Sequence, residues 1–317
     1  AYIGGFNATS NVRAGKLFGI PISGTHAHSL VQVYRNDYEA FKAYAETHKD
    51  VVFLVDTYDT LRSGVPSAIR VAKEMGDKIN FIGVRIDSGD LAYVSKGVRK
   101  MLDEAGFPDA KIVASNDLDE ETITSLKLQG AKIDTWGIGT KLITAYDQPA
   151  LGGVYKVVSI ENEAGEMVDT IKISGTAEKI SNPGKKQVWR ITRNSDGKSQ
   201  GDYIALWDEN PRDLPEGLYM FHPSYPYLNK TVVDYTARPI LHDIIVDGEL
   251  VYELPALDDI RNYTAEHIES LWSEYRRDLN PQEYPVDLSQ AAWDHKMNLI
   301  KEMREYVSEV AKEYDKD

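Results

Sequence analysis

The chain contains no cysteine. That excludes disulfides, thiolate nucleophiles, iron–sulfur clusters and cysteine-based zinc sites. It also lacks a long hydrophobic run. The longest aliphatic or aromatic stretch is Val51–Val55, far short of the roughly 20 residues that cross a bilayer as a helix. No charged-then-apolar leader pattern opens the chain. Positive charge is in deficit: 36 Lys and Arg face 50 Asp and Glu, a net charge of −14. Such a balance speaks against general affinity for nucleic acid or an anionic membrane. The expectation is a cytoplasmic protein without nucleic-acid or membrane partners. An initiator Met is missing too, because the chain opens Ala1-Tyr2-Ile3. A processed protein or a piece of a longer one is expected from that start.

What is present is globular. Hydrophobic residues make up 42% and charged residues 27%, enough apolar content for a large core across 317 residues. The charge is unevenly spread. Residues 1–150 hold 17 basic against 19 acidic side chains, whereas residues 151–317 hold 19 against 31. A polyanion is therefore accommodated more easily by the first half.

That first half alternates short apolar runs with helical patterns. Strands are expected at Ile20–Ser23, Val51–Asp56, Phe81–Asp87, Lys111–Ser115 and Thr135–Gly139. Helices are expected near Asp37–His48, Leu61–Met75, Leu91–Ala105 and Glu120–Leu128. Nearly all-apolar strands suit a parallel sheet covered by helices, and the spacing is that of βα units. From Gly152 the texture changes to an antiparallel β-rich pattern. Strands are expected at Val154–Ile160, Val168–Ser174, Lys186–Arg193 and Tyr203–Trp207, with turn signals between them. Residues 209–230 read as irregular. Near the C-terminus Asp287 is placed as a helix cap, with Gln290 three residues on. Trp293, Met297, Ile300, Val307, Val310 and Tyr314 follow at helical spacing as a core or interface stripe. The organisation is thus an α/β part over 1–150, a β-rich segment over 151–250 and a helical region over 251–317.

In βα architectures ligands bind where strand ends meet helix starts. The five junctions here read Gly24-Thr25-His26-Ala27-His28-Ser29, Asp56-Thr57-Tyr58-Asp59-Thr60, Arg85-Ile86-Asp87-Ser88-Gly89-Asp90, Ser115-Asn116-Asp117-Leu118-Asp119 and Gly137-Ile138-Gly139-Thr140-Lys141. All five are polar, which points to one shared polyanion site. Gly139 and Thr140 can be an ordinary helix-start turn or can leave backbone N–H groups free for phosphate, with a helix dipole behind them. Arg85 and Asp87, two apart on a strand, share a face and can be a structural pair or hold phosphate and a sugar hydroxyl. Asp117 and Asp119 can be caps, ribose ligands or Mg²⁺ ligands. His26 and His28 follow Thr25, a possible helix cap. At i and i+2 they do not share a helix face, which argues against a helical metal pair. A neutral imidazole there is a nucleophile, and its phosphorylated form suits a helix start.

Those motifs, with Thr9-Ser10-Asn11-Val12 before them and Pro183-Gly184-Lys185-Lys186-Gln187-Val188 after them, occur in an order that closely resembles the nicotinate phosphoribosyltransferases, a type II phosphoribosyltransferase family. Leu279-Asn280-Pro281-Gln282-Glu283-Tyr284 resembles the long bacterial form. The resemblance implies an irregular, TIM-like α/β barrel of βα units, followed by an antiparallel β-rich segment and C-terminal helices. It implies condensation of nicotinate with phosphoribosyl pyrophosphate (PRPP), giving nicotinate mononucleotide and pyrophosphate. Mg²⁺ and ATP take part, without an organic prosthetic group, and ATP hydrolysis is coupled through a phosphohistidine.

By motif that histidine is His28, not His26. Arg85 and Asp87 match residues that contact the nucleotide. Gly139 and Thr140 match the 5′-phosphate grip, Asn116 and Asp117 a ribose or phosphate loop, and Lys185 and Lys186 a reach toward pyrophosphate. Thr9 and Ser10 match the position that sorts substrates. Nicotinamide-using relatives carry Asp where Ser10 stands, and an uncharged hydroxyl tolerates the nicotinate carboxylate. The Mg²⁺ ligands are left open. Family members form dimers, with the N-terminal domain of one subunit covering the barrel of the other. That domain carries an Arg-Arg motif and pyridine-stacking aromatics, and it lies upstream of what corresponds to Ala1. A C-terminal portion of such an enzyme is therefore expected. The readings in play are the active transferase, a nicotinamide-using relative, a fragment that binds PRPP or nucleotide but needs its N-terminal part, and a non-enzymatic βα binding protein.

Overall fold

The computed structural model describes residues 1–176, 179–212 and 214–314. It divides into two compact units, Ala1–Leu151 and Gly152–Asp317.

The first unit opens with α1 (Val12–Phe18), α2 (His28–Tyr34) and α3 (Asp37–Thr47). Strand β1 (Asp50–Leu54) follows, then a π-helical turn (Thr60–Gly64) and α4 (Val65–Met75). The remainder is β2 (Asn80–Ile86), α5 (Leu91–Glu104), β3 (Lys111–Ala114), α6 (Glu120–Leu128), β4 (Thr135–Trp136) and α7 (Thr140–Ile143). Strands β1 to β4 pair in sequence order, all parallel.

Local chemistry explains the starts. Asn36 accepts N–H bonds from Tyr38 and Glu39, Asp90 from Tyr93, and Asp119 from Thr122. Each satisfies donors that a helix start leaves unpaired. The apolar strands are buried as expected of a covered sheet. Val51, Phe53, Leu54, Val84, Ile86, Ile112 and Ala114 are all fully buried. Helix α4 turns Val65, Ala68, Val71 and Ala72 toward them at helical spacing. Phe41, Phe53, Phe81 and Phe107 form an aromatic chain with centroids 4.8, 5.8 and 5.2 Å apart. Gly64 permits the close approach of the π-helical turn to β1, since a Cβ there would sit 1.8 Å from the Val55 carbonyl oxygen.

One expectation changes here. Ile20–Ser23 is not a sheet strand. It makes one isolated bridge, Ile22 with Thr9, and joins none of the four strands. Among the described residues the parallel sheet has four strands.

The second unit contains β5 (Ser159–Glu161), β6 (Met167–Asp169), β7 (Lys186–Arg193), β8 (Ser199–Leu206), β9 (Leu218–Phe221) and β10 (Asn229–Val232). It continues with β11 (Tyr235–Pro239), β12 (Ile245–Val246), β13 (Glu249–Leu250), α8 (Leu257–Ser270), β14 (Val286–Leu288) and α9 (Gln290–Tyr314). A six-stranded sheet runs β10-β9-β14-β8-β7-β11, antiparallel except for β14 beside β8. The β5–β6 hairpin is shorter than the two long strands expected there.

Residues 209–230 are not irregular throughout. β9 and β10 pair within and beyond that stretch, and Leu218 and Met220 are buried. Asp287 is not a helix cap. It lies inside β14, paired with Tyr203, and Ser289 caps α9 by accepting the Ala292 N–H at 3.0 Å. The region after residue 251 therefore supplies a central strand as well as helices. The α9 stripe is core only in part: Trp293 packs edge-on against Phe221 and Ile300 is buried, but Met297 and Val307 are 43% and 62% exposed.

Candidate active site

The carboxyl ends of β1, β2 and β3 bring side chains together around His28. That histidine opens α2, and its N-cap position is Ala27, which has no side chain to cap with. Thr25 is therefore not the cap expected of it. Its Oγ1 donates to the His26 carbonyl and accepts from Arg85 Nη1 at 2.7 Å. Arg85, on β2, also donates through Nε to Ser115 Oγ at 2.8 Å, and its Nη2 lies 3.2 Å from Asp87 Oδ1. Ser115 in turn donates to Asp87 Oδ1. Arg85 thereby ties the ends of β2 and β3 to the loop before α2, with Asp87 on its own face as the two-residue spacing implies.

His28 Nδ1 is 3.0 Å from Thr57 Oγ1. Its Nε2 lies 3.7 Å from both Asp56 Oδ1 and Asp87 Oδ2. Asp56 is the residue whose importance the sequence did not reveal. Its side chain is 2% exposed. Oδ2 accepts from the Asp87 N–H at 2.8 Å and from Ser88 Oγ at 2.6 Å. Oδ1 is buried and has no hydrogen-bond partner among the described residues. A buried carboxylate oxygen without a partner is costly, and this one faces His28. The signal was its place directly after an apolar strand. The spacing to His28, 28 residues upstream, is visible only once the strand ends are assembled.

The two histidines divide structural and site roles. His26 is 8% exposed, and its ring lies against Phe41 and Tyr44 at 5.7 and 5.0 Å. Nε2 accepts the Leu54 N–H at 3.1 Å, while Nδ1 lies 3.3 Å from the Ala27 carbonyl. One nitrogen accepts and the other donates, so the ring is neutral. Burial lowers its proton affinity, the Ala27 carbonyl opposes that, and Arg85 adds to the lowering. A depressed folded-state value means that the unfolded chain binds the extra proton first. Stability from His26 is thus present above about pH 6.5 and is lost as pH falls toward the folded value. In His26→Gln, whose Oε1 can still accept from Leu54, urea midpoints should lose this part of the acid dependence. An unchanged slope below pH 6.5 would refute the neutral, buried role.

The other expected site residues fall as follows. Asn116 and Asp117 are exposed on the loop after β3. Asn116 adopts a φ of 122°, a sparsely populated conformation held directly beside Ser115. Asp119 is a cap and accepts from Lys141, whose contact pulls its carboxyl far below the usual range. Committed in this way, Asp119 is a poor metal ligand. Gly139 and Thr140 follow β4. A Cβ on Gly139 would meet nothing within 4 Å, so the backbone there is open to approach. The helix behind it is a single turn of four residues, too short for much macrodipole.

Thr9 is held by backbone bonds to Pro21 and Ser23, and Ser10 is exposed. In the second unit Lys186 donates to the carbonyls of Asn182, Pro183 and Gly184, shaping its own loop, and burial lowers its proton affinity. Lys185 lies over the Trp207 ring at 3.8 Å.

The first unit is therefore a parallel α/β unit whose strand ends gather His28, Asp56, Asp87, Arg85 and Ser115. The chain belongs to the nicotinate phosphoribosyltransferase family, whose model matches residues 1–190; the model of the family's C-terminal domain matches residues 185–296. It is 62% identical to nicotinate phosphoribosyltransferase of Bacillus subtilis, over 99% of this chain and 64% of that protein. The Dictyostelium discoideum enzyme of the same name is 36% identical over 96% of this chain and 61% of its own length. The crystal structure of human nicotinic acid phosphoribosyltransferase superposes with a TM-score of 0.75 at 27% identity, covering 94% of this chain and 66% of that one. The chain thus spans less than two thirds of the length of these relatives.

Proposed function

We propose that the protein acts as a nicotinate phosphoribosyltransferase, the first step of NAD salvage from nicotinate, in the cytoplasm. Nicotinate and PRPP would give nicotinate mononucleotide and pyrophosphate, with ATP hydrolysis coupled through phosphorylation of His28. The observation that carries this reading is the convergence of Asp56 Oδ1 and Asp87 Oδ2 on His28 Nε2, with Arg85 beside them. Sugar transfer from PRPP breaks a C1–O bond through an oxocarbenium-like state. Catalysis there rests on positioning and on stabilising the departing charge.

In this reading Arg85 holds anionic oxygen, and Asp87 accepts from ribose hydroxyls. The open backbone at Gly139, with Thr140, grips the 5′-phosphate, and Asn116 and Asp117 border the sugar. Lys185 is the stronger candidate of the lysine pair for pyrophosphate, since Lys186 is committed to its loop. Ser10, uncharged and exposed beside Thr9, suits nicotinate over nicotinamide.

Among the described residues no group of three or more His, Asp or Glu side chains is placed to hold a metal ion. Mg²⁺ commonly binds through one or two carboxylates plus substrate phosphates rather than through a complete protein cage. The unpartnered Asp56 oxygen and Asp87 fit that use. Mg²⁺ there would neutralise phosphate charge during transfer.

The sequential strand order β1-β2-β3-β4 is that of a barrel rather than of a doubly wound sheet, which reverses. It supports an arc of the TIM-like barrel. The shorter span relative to relatives favours a second reading, in which this polypeptide binds PRPP but turns over only with further chain and in a homodimer. Incubation with nicotinate, PRPP, Mg²⁺ and ATP, followed by chromatography for nicotinate mononucleotide, separates the two. Product from this chain alone would remove the second reading. No PRPP binding by calorimetry would remove both.

A further inference from the structure

The motif Leu279–Tyr284 takes no part in the site above, yet its last three residues, Gln282, Glu283 and Tyr284, wall a cavity in the second unit. That cavity is about 480 Å³ and is lined by His222, Lys230, Tyr284 and Asp287, among others. Its volume lies in the range of small-molecule sites. Asp287 is 5% exposed, and its carboxylate has no hydrogen bond or ion-pair contact among the described residues. Burial raises its carboxyl, and the field of Lys230 is the largest effect opposing this.

Lys230 spends one ammonium proton on the Gln200 carbonyl and has others left for the cavity. His222 Nδ1 accepts the N–H groups of Ser224 and Tyr225 at 3.0 and 3.1 Å, which leaves Nε2 as a donor. A buried carboxylate and two half-buried donors thus line one space without satisfying each other.

The charges restrict what could satisfy them. A cation would suit Asp287 but meet Lys230. An anion would suit Lys230 but meet Asp287. Hydroxyl groups both donate and accept, and two on neighbouring carbons can give a carboxylate two hydrogen bonds while accepting from the ammonium and the imidazole. The apolar flank of the Tyr284 ring can cover the carbon face of such a molecule.

We propose that this cavity is a second binding site, distinct from the one around His28, for the vicinal diol of a neutral pentose or of a nucleoside's ribose. The test is ¹⁵N chemical-shift titration of the full chain with D-ribose, with adenosine in parallel and 2-deoxy-D-ribose and 2′-deoxyadenosine as controls. Ribose binding assigns the site to a free sugar, and adenosine binding without ribose binding assigns it to a nucleoside. Either result supports the proposal when shifts centre on His222, Lys230 and Asp287 and the deoxy control binds less tightly. Asp287→Asn should weaken binding about tenfold, the effect of losing a charged hydrogen-bond acceptor, and Asp87→Asn should leave it unchanged. Equal binding of the deoxy forms, shifts confined to the strand ends around His28, or no cavity shift with either ligand would overturn it. The titration of the unsubstituted chain stands even if Asp287→Asn fails to fold.

Discussion

His28→Ala should abolish acid-labile labelling of the protein from γ-labelled ATP, whereas His26→Ala should keep the label and lose stability. The site geometry sets the first outcome. His28 is the histidine whose ring reaches the strand-end carboxylates, with Nδ1 3.0 Å from Thr57 Oγ1 and Nε2 turned to Asp56 and Asp87. Phosphorylation there forms an N–P bond and breaks the bond between the γ-phosphorus and the oxygen that leaves with ADP. Alanine has no nitrogen to offer. Its effect on stability should stay small, since the side chain is about one-third exposed. His26 is the converse case. Its removal takes a ring from between Phe41 and Tyr44 and leaves the buried Leu54 N–H without its acceptor. Cavity and orphaned donor together cost about 2–4 kcal/mol, visible as a lower urea midpoint. Label surviving in His28→Ala, or vanishing in a folded His26→Ala, would reverse the assignment.

The fold of the first unit was written in its apolar runs and polar junctions. Strands β1, β2 and β3 and helices α3, α5 and α6 lie within one or two residues of the sequence reading, because buried parallel strands and well-capped helices carry strong local signals. Ile20–Ser23 failed because an apolar tripeptide before a Gly-Thr turn resembles a strand, while its one bridge is to Thr9 and not to the sheet. Asp287 failed because an acidic residue three positions before a Gln imitates a capping box, while the true cap, Ser289, stood two residues later. In the second unit β9 and β10 were hidden among Pro and Tyr residues, and their pairing depends on contacts that no local pattern records.

The site followed the same rule. His28, Arg85 and Asp87 were legible as types and by motif. The structural use of His26 was not, since it depends on Phe41, Tyr44 and the Leu54 amide arriving from elsewhere in the chain. Asp119 could cap or bind ribose or metal on sequence grounds, with the cap favoured, and its bonds from Thr122 and Lys141 commit it as a cap.

Asp56 offers the sharper test, because activity and stability should move in opposite directions there. In Asp56→Asn the amide oxygen can keep the bonds from the Asp87 N–H and Ser88 Oγ, and the amide nitrogen takes the place of Oδ1. What disappears is a buried negative charge whose Oδ1 has no hydrogen-bond partner among the described residues. Its desolvation is a cost in the folded state, so urea stability should hold or rise. What also disappears is one of two carboxylates 3.7 Å from His28 Nε2. At that range, with an effective dielectric of about 20, unit charges interact by roughly 4 kcal/mol, and part of that interaction would stabilise positive charge on the ring as it attacks phosphorus. Single-turnover labelling from γ-labelled ATP should therefore slow by about ten- to a hundredfold. A merely structural Asp56 predicts that stability falls and labelling of the folded fraction stays normal. A site held in a costly arrangement for function predicts the reverse, and the two measurements on one variant distinguish them.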